Sequence, residues 1–319
     1  MMKRRSLNNA RSDGAAKLSL AQTYNNLSGI YDSQCKEFNR FFEKILIETE
    51  RDHLTRGSKI LDVGSGPGTP VAFHFTNQGH FVTGIDFSPG MLEVARKKVP
   101  QATFIQVENM TAYQPARLEE YDAIIASHSL YHISLSQLRS MLLRFSLWLK
   151  KGGLLIIAHC IDQQLLNEGK IIFDHRGWAE APGAFLGEPM DTIIIGTPDA
   201  WRRLMIEMGF DIVRAEENHE EVQLEGRTYG YQGIYFVARK IEENPWIGPF
   251  PIPERVSIQK SPWPLSLSVW KQVLQNLTGD AFELTKFLEG KKYNQALYFG
   301  DSDCKCSVFT VETTFTYIV

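Results

Sequence analysis

The chain has 319 residues, 43% hydrophobic and 22% charged, enough apolar content for one large core or a core plus a small appendage. A net charge of −3 supplies no strong field toward nucleic acid or an anionic membrane. No apolar run approaches the ~20 residues of a membrane span, and the four cysteines (Cys35, Cys160, Cys304, Cys306) lack framework spacing. Together these predict a cytoplasmic protein with reduced thiols and no bound metal. Cys304-x-Cys306 would be half a metal site, but no second pair completes it.

Residues 1–20 are basic and rich in Ser, Asn and Ala, with no apolar core, which predicts a disordered tail rather than a secretory signal. From Tyr24 to Leu54, Phe38, Phe41, Phe42, Ile45 and Leu46 recur at helical spacing. Lys59–Val63 then reads as a buried strand, cut off by glycines at alternate positions, Gly64, Gly66 and Gly68. Missing side chains there let backbone pass close to a ligand. Thr69 and Pro70 are placed to cap and open a helix over Val71–Gln78.

A second apolar run ends at Asp86, twenty residues past Gly66, where a carboxylate can accept hydrogen bonds from both hydroxyls of a ribose. The bend has no lysine of the kind a triphosphate site needs, leaving an adenosine without phosphates as the expected ligand. Ser88-Pro89 starts another helix, reaching Lys98. Thr103–Val107 is a third strand, followed by Glu108-Asn109-Met110, and Tyr121–Ala126 a fourth, running into Ser127-His128-Ser129-Leu130-Tyr131-His132. Leu135, Leu138, Leu142, Phe145 and Leu149 form a helical face, with Lys150, Lys151 and Gly152 as its expected end and Leu154–Cys160 as a fifth strand. These strand ends fall on one edge of a parallel sheet, the edge at which open α/β sheets bind ligands.

The stretch 161–196 holds His175, Arg176, Trp178 and Phe185 and is expected to cover the substrate; Arg176 is expected on the surface. Thr197-Pro198 opens a helix with Trp201, Leu204, Met205 and Met208, and Asp211–Glu216 and Gly233–Arg239 read as a closing antiparallel pair. Six of the 14 prolines fall between Asn244 and Leu265, predicting an extended linker. Residues 266–319 are expected to form a small α+β appendage, with helices at Leu267–Leu277 and Ala281–Leu288 and strands at Ala296–Phe299 and Val308–Val319. No family is recognised in it, and its expected role is binding a partner or self-association.

The loop Asp62-Val63-Gly64-Ser65-Gly66-Pro67-Gly68 and the segment Gly84–Arg96, GIDFSPGMLEVAR, resemble the core of class I S-adenosylmethionine-dependent methyltransferases, strongly over 59–160 and more loosely over 20–240. That resemblance implies a Rossmann-like seven-stranded, mostly parallel sheet with helices on both faces and an antiparallel last strand, occupying residues 21–243. It implies S-adenosyl-L-methionine as methyl donor. Asp62, Gly64, Ser65, Gly66, Gly68, Asp86, Phe87, Met91, Glu108, Asn109, Met110 and Ser127 would surround it. Asn109 stands where such enzymes usually place an acid toward adenine; an amide oxygen can accept the same bond without charge. Tyr24 and Tyr31, on helices preceding the first strand, would close over the donor, and Tyr131, His175 and Trp178 would face the acceptor. His128 and His132 are the general-base candidates, because histidine titrates near neutrality.

The Asp/Asn-Pro-Pro-aromatic run of amino-directed base methyltransferases, the Pro-Cys nucleophile of cytosine C5 enzymes and the paired glutamates of arginine methyltransferases are all missing. The leading expectation is methylation of O, N or C of a small-molecule acceptor. The alternatives are an RNA or protein methyltransferase recruited through the C-terminal region, and a non-catalytic donor-binding regulatory or partner subunit.

Overall fold

The computed structural model describes residues 19–241 apart from 186–187 and 225–226, together with two residue pairs, Tyr298–Phe299 and Ser307–Val308, which form a short antiparallel bridge. Residues 1–18 of the expected tail, the proline-rich linker, the appendage helices, residues 309–319 of the expected last strand and the Cys304/Cys306 pair lie outside the described residues, whereas Ser19 and Leu20, expected in the tail, cap and open the first helix.

Two helices come first, α1 (Leu20–Leu27) and α2 (Tyr31–His53). They are followed by β1 (Lys59–Val63), α3 (Val71–Asn77), β2 (Phe81–Asp86), α4 (Pro89–Lys98) and β3 (Thr103–Gln106). Next are β4 (Tyr121–Ser127), α5 (Leu135–Trp148), β5 (Leu149–Asp162), α6 (Gln163–Asn167) and a hairpin of β6 (Trp178–Phe185) and β7 (Glu188–Gly196). Then come α7 (Pro198–Glu207), β8 (Phe210–Leu224) and β9 (Arg227–Lys240). Seven strands form one sheet in the order β3-β2-β1-β4-β5-β9-β8; β9 runs antiparallel to both its neighbours, and the other pairings are parallel.

Alternation along the strands divides the core in two. Leu61, Val63, Ile124, Ala126, Leu155 and Ile157 join the cluster under α5 and α7, whereas Ile60, Ala123, Ile125, Leu154 and Ile156 join the one under α2, α3 and α4. Because every central strand is covered on both faces, its residues are apolar almost without interruption. The strand order reverses between β1 and β4, since the chain winds outward from β1 to β3 and returns on the other side of β1. A crevice opens at the carboxyl ends of strands at such a reversal. Here those ends are Val63-Gly64 and Ser127-His128.

Several local expectations hold and others are corrected. Ser88 caps α4 through the Met91 amide at 3.1 Å and Thr197 caps α7 through Ala200 at 3.2 Å, each with proline at the first helical position. Ser134 forms a full capping box with Gln137 at the start of α5. Thr69 does not cap α3. Its hydroxyl instead donates to Asp32 of α2 at 2.5 Å, and Asp32 is also paired with Lys98 of α4. Lys150 and Lys151 do not close α5 either: the helix stops at Trp148, and both lysines stand at the start of β5, where Lys150 reaches Asp122 at 2.7 Å. The closing pair is also much longer than Asp211–Glu216 and Gly233–Arg239 suggest, because β8 and β9 run past the sheet as a hairpin.

Candidate functional site

The bend after β1 is held by β2. The amides of Gly64 and Ser65 both donate to the Ile85 carbonyl, at 2.8 and 3.0 Å. All three glycines of the bend have positive φ, a conformation that costs a side chain ~1–2 kcal/mol. They differ in what surrounds them. A methyl on Gly64 would stand 2.4 Å from the Ser129 Cβ, and one on Gly68 would press on Phe104 and Val99, whereas one on Gly66 would meet nothing within 4 Å. Gly64 and Gly68 therefore serve packing, and Gly66 faces open space.

Asp86 closes that space from the tip of β2. One carboxylate oxygen accepts from the Gly66 amide at 2.9 Å and the other from Ser88 at 2.8 Å. Each oxygen retains a further lone pair for a ligand. Burial raises the Asp86 carboxyl above the usual range, and the Ser88, Gly66 and Phe87 amides pull it back. Asp62, 2% exposed at the end of β1, is pushed to about 8 by burial and by the charge of Asp86, with the Ala72 backbone opposing.

Two joined cavities flank the bend. The smaller, about 520 Å³, lies between β2, β3 and β4 and is walled by Ile85, Asp86, Phe87, Met91, Val107 and Met110. The larger, about 1210 Å³ including its open side, extends from Asp62 and the glycine bend past the end of β5. Tyr24, Tyr31, Gly64, Gly66, Ser127, His128 and His132 border both. Tyr24 arrives because α1 is clasped to α4: the Asn25 side-chain oxygen accepts from the Ser88 hydroxyl at 2.7 Å and the Gly90 amide at 2.9 Å, while Tyr31 is the first residue of α2. Burial raises both phenols, in Tyr24 with added repulsion from Asp86.

At the end of β4 the chain turns through His128, a non-glycine residue with φ +51°, while its amide donates to the Ala158 carbonyl at 2.9 Å. Strained backbone of this kind collects at functional sites. Desolvation pushes the His128 imidazole to about 3, so it is neutral at physiological pH. The Tyr131 hydroxyl sits 3.5 Å from His128 Nδ1 and accepts from the Cys160 amide at 2.6 Å.

Most of the expected site residues converge here. Asp62, Ser65, Gly66, Asp86, Phe87, Met91, Met110, Ser127, His128, His132, Tyr24, Tyr31 and Tyr131 all line one cavity or both. Others stand elsewhere. Gly68 packs under the bend. Glu108 is exposed, and so is Asn109, whose side-chain oxygen accepts from the Thr111 amide at 2.9 Å to cap a short 3-10 turn. His175 is exposed, and Trp178 is buried edge-on against Trp201 at 5.4 Å between ring centres. Arg176 lies half-exposed beside Asp174. The stretch 161–196 reaches the cavity through Asp162, Leu165, Gly183, Ile193 and Ile195 instead, with the β7 side fixed by a bond from the Ile194 amide to the Tyr131 carbonyl at 2.9 Å.

Residues not singled out from the sequence also contribute. Val107 adds an apolar wall to the smaller cavity, and Gln34, Cys160, Asp162 and Tyr231 belong to the wall of the larger one. His159, stacked on Tyr131 at 4.4 Å and likewise pushed to about 3 by burial, backs that wall. No sequence motif marks them, because pairing of β5 with the distant β9 brings several of them together. Among the described residues, no group of three or more His, Cys, Asp or Glu could share a metal, and no helix is long and apolar enough to cross a membrane.

Residues 60–153 match a family model described as a methyltransferase domain. Over 107 residues the chain is 36% identical to a trans-aconitate 2-methyltransferase of Paracidovorax citrulli, spanning 33% of this chain and 39% of that protein. Over 149 residues it is 30% identical to an aklanonic acid methyltransferase of Streptomyces, spanning 44% and 64%. A solved S-adenosylmethionine-dependent methyltransferase from Methanosarcina mazei aligns with 60% of this chain and 97% of its own, with 19% identity and a TM-score of 0.48.

Proposed function

We propose, from the premise that residues 60–153 form a class I S-adenosylmethionine-dependent methyltransferase domain, that the chain transfers a methyl group from that donor to a small-molecule acceptor. The observation that carries this reading is Asp86: a buried carboxylate held by the Gly66 and Ser88 amides, at a bend whose middle glycine faces open space. A ribose diol needs such an acceptor pair, and no triphosphate-binding lysine is present. Phe87, Met91, Val107 and Met110 supply apolar walls suited to an adenine ring. Asp62 suits the cationic amino end of the donor, since a nearby positive charge favours its ionised form.

When bound, the donor supplies an already activated methyl group. The chain's own work is then alignment and exclusion of water. Tyr24 and Tyr31 cover the junction of the two cavities, which directs an acceptor in from the side of the larger one. Burial that pushes the His128 imidazole to about 3 disfavours its protonated form, so His128 bounds the reacting end as a neutral group and does not act as the proton acceptor. The acceptor atom in this reading is O, N or C. The relatives named for trans-aconitate and aklanonic acid support a small-molecule acceptor.

Calorimetry tests the donor assignment. S-adenosylmethionine and S-adenosylhomocysteine should bind, and Asp86→Ala should weaken both by roughly ten- to a hundredfold, the range for hydrogen bonds to a charged group. Unchanged affinity in that variant would remove the ribose assignment. Labelled methyl transfer from the donor should appear in the small-molecule fraction of a lysate, not in its RNA or protein.

A further inference from the structure

The far end of the larger cavity carries a charge pattern that selects an acceptor class. Ser127, at the end of β4, pairs with Ala158 of β5. From there β5 continues four residues to Asp162, a run of ~13 Å at ~3.3 Å per residue. Asp162 pairs across the strands with Tyr231 of β9, and both line the cavity. The Asp162 carboxylate is fixed by one oxygen, which accepts from the Leu165 amide at 3.0 Å. Leu165, Ile193 and Ile195 make apolar wall in the same cavity. Among the described lining residues, Asp62 and Asp162 carry the carboxyl groups, Asp62 at the donor end and raised to about 8 by burial, and neither lysine nor arginine is present.

We infer that the acceptor is an elongated, largely apolar molecule with a protonated amine at the end away from the reacting atom, received by Asp162. The inference rests on the methyl-transfer reading and deepens it. A carboxylate or phosphate carried to that end would meet Asp162 with no cation among the described walls to neutralise it. Removing two like charges from water together is costly. An ammonium there gains an opposite charge, and the Tyr231 side chain stands beside it. The apolar wall fits a hydrocarbon or aromatic spacer about as long as the run from Ser127 to Asp162. The amine is a recognition group; the methylated atom lies at the other end, near Ser127 and His128.

The test uses the full chain saturated with S-adenosylhomocysteine, titrated calorimetrically with octylamine, octanol and octanoate, which share a chain and differ in head group. Octylamine should bind at least about tenfold more tightly than octanoate, with octanol between. Asp162→Asn keeps a good helix cap and should erase the preference while leaving the melting transition and S-adenosylhomocysteine affinity unchanged. Equal binding of the three probes, no binding of octylamine, or a preference that survives Asp162→Asn would overturn the inference and leave the donor reading standing. Failure of the wild-type chain to bind S-adenosylhomocysteine would overturn both.

Discussion

The Tyr24 hydroxyl and His132 Nε2 lie 3.0 Å apart although 108 residues separate them in sequence. The bond ties α1, which precedes the sheet, to the loop that follows β4, and both partners border the two cavities. Tyr24 also packs edge-on against Phe87 and His132, with ring centres 5.5 and 5.7 Å apart. Tyr24→Phe keeps that packing and removes the hydroxyl. S-adenosylhomocysteine affinity should fall roughly two- to tenfold, the worth of one hydrogen bond, and amide exchange in α1 should speed up. An unchanged exchange rate would show that the Asn25 clasp alone holds the helix.

Gly64 and Gly66 should respond differently to the same substitution. Gly64→Ala places its methyl 2.4 Å from Ser129 Cβ, beside a hydroxyl already bonded to the Val63 carbonyl at 2.5 Å. That variant should lose several kcal/mol of stability, as overpacking and positive φ combine. Gly66→Ala meets only the φ penalty of ~1–2 kcal/mol, so it should fold. Its methyl nevertheless enters the space assigned to the donor, and binding should drop at least tenfold. Paired melting curves and calorimetry separate the two cases.

Arg144 is 2% exposed, and its guanidinium donates to the Thr111 carbonyl at 2.5 Å and the Tyr113 carbonyl at 2.6 Å, over the Trp148 ring at 4.9 Å. Burial lowers it to about 10, still charged at neutral pH. These bonds hold the turn that presents Met110 to the smaller cavity. Arg144→Met removes the donor from the buried Tyr113 carbonyl and the half-buried Thr111 carbonyl, which should cost ~2–4 kcal/mol in a denaturant titration. Donor affinity should fall as well, because the Met110 wall loses its anchor.

The sequence was most legible where local chemistry decides structure. Gly66 and Asp86, found by spacing, meet in a hydrogen bond, and Ser88-Pro89 and Thr197-Pro198, found by capping rules, open helices. The central strands were plain because their apolar runs are covered on both faces. What could not be read depends on partners distant in the chain. Thr69 has the right residue type for a cap, but Asp32 of α2 captures its hydroxyl. Asn109 has an oxygen suited to adenine, but the three-residue turn Met110–Ala112 satisfies it locally through the Thr111 amide. His175 and Trp178 looked suited to a substrate cover, yet the hairpin register turns Ile193 and Ile195 to the cavity and buries Trp178 against Trp201. Asp162 and Tyr231 become neighbours through a strand pairing that joins residues sixty-nine apart.

Proton linkage at Asp62 gives a prediction whose sign is fixed by burial. Its carboxyl is raised to about 8 in the folded, donor-free chain, against the ordinary value of 3.8. Below the ordinary value, folded and unfolded chains both hold the proton, so Asp62 imposes no penalty. Between that value and about 8 the folded chain keeps a proton that the unfolded chain has released, so the Asp62 contribution to stability falls as pH rises. Asp62→Asn should flatten this part of the stability profile and raise the melting temperature at pH 8. A donor amino group beside Asp62 would favour the ionised carboxylate, so S-adenosylhomocysteine binding near pH 7 should release up to about one proton. Calorimetry in buffers of different ionisation enthalpy measures that release, and Asp62→Asn should abolish it. Release that persists in the variant would assign the proton to another group and detach Asp62 from the donor's amino end.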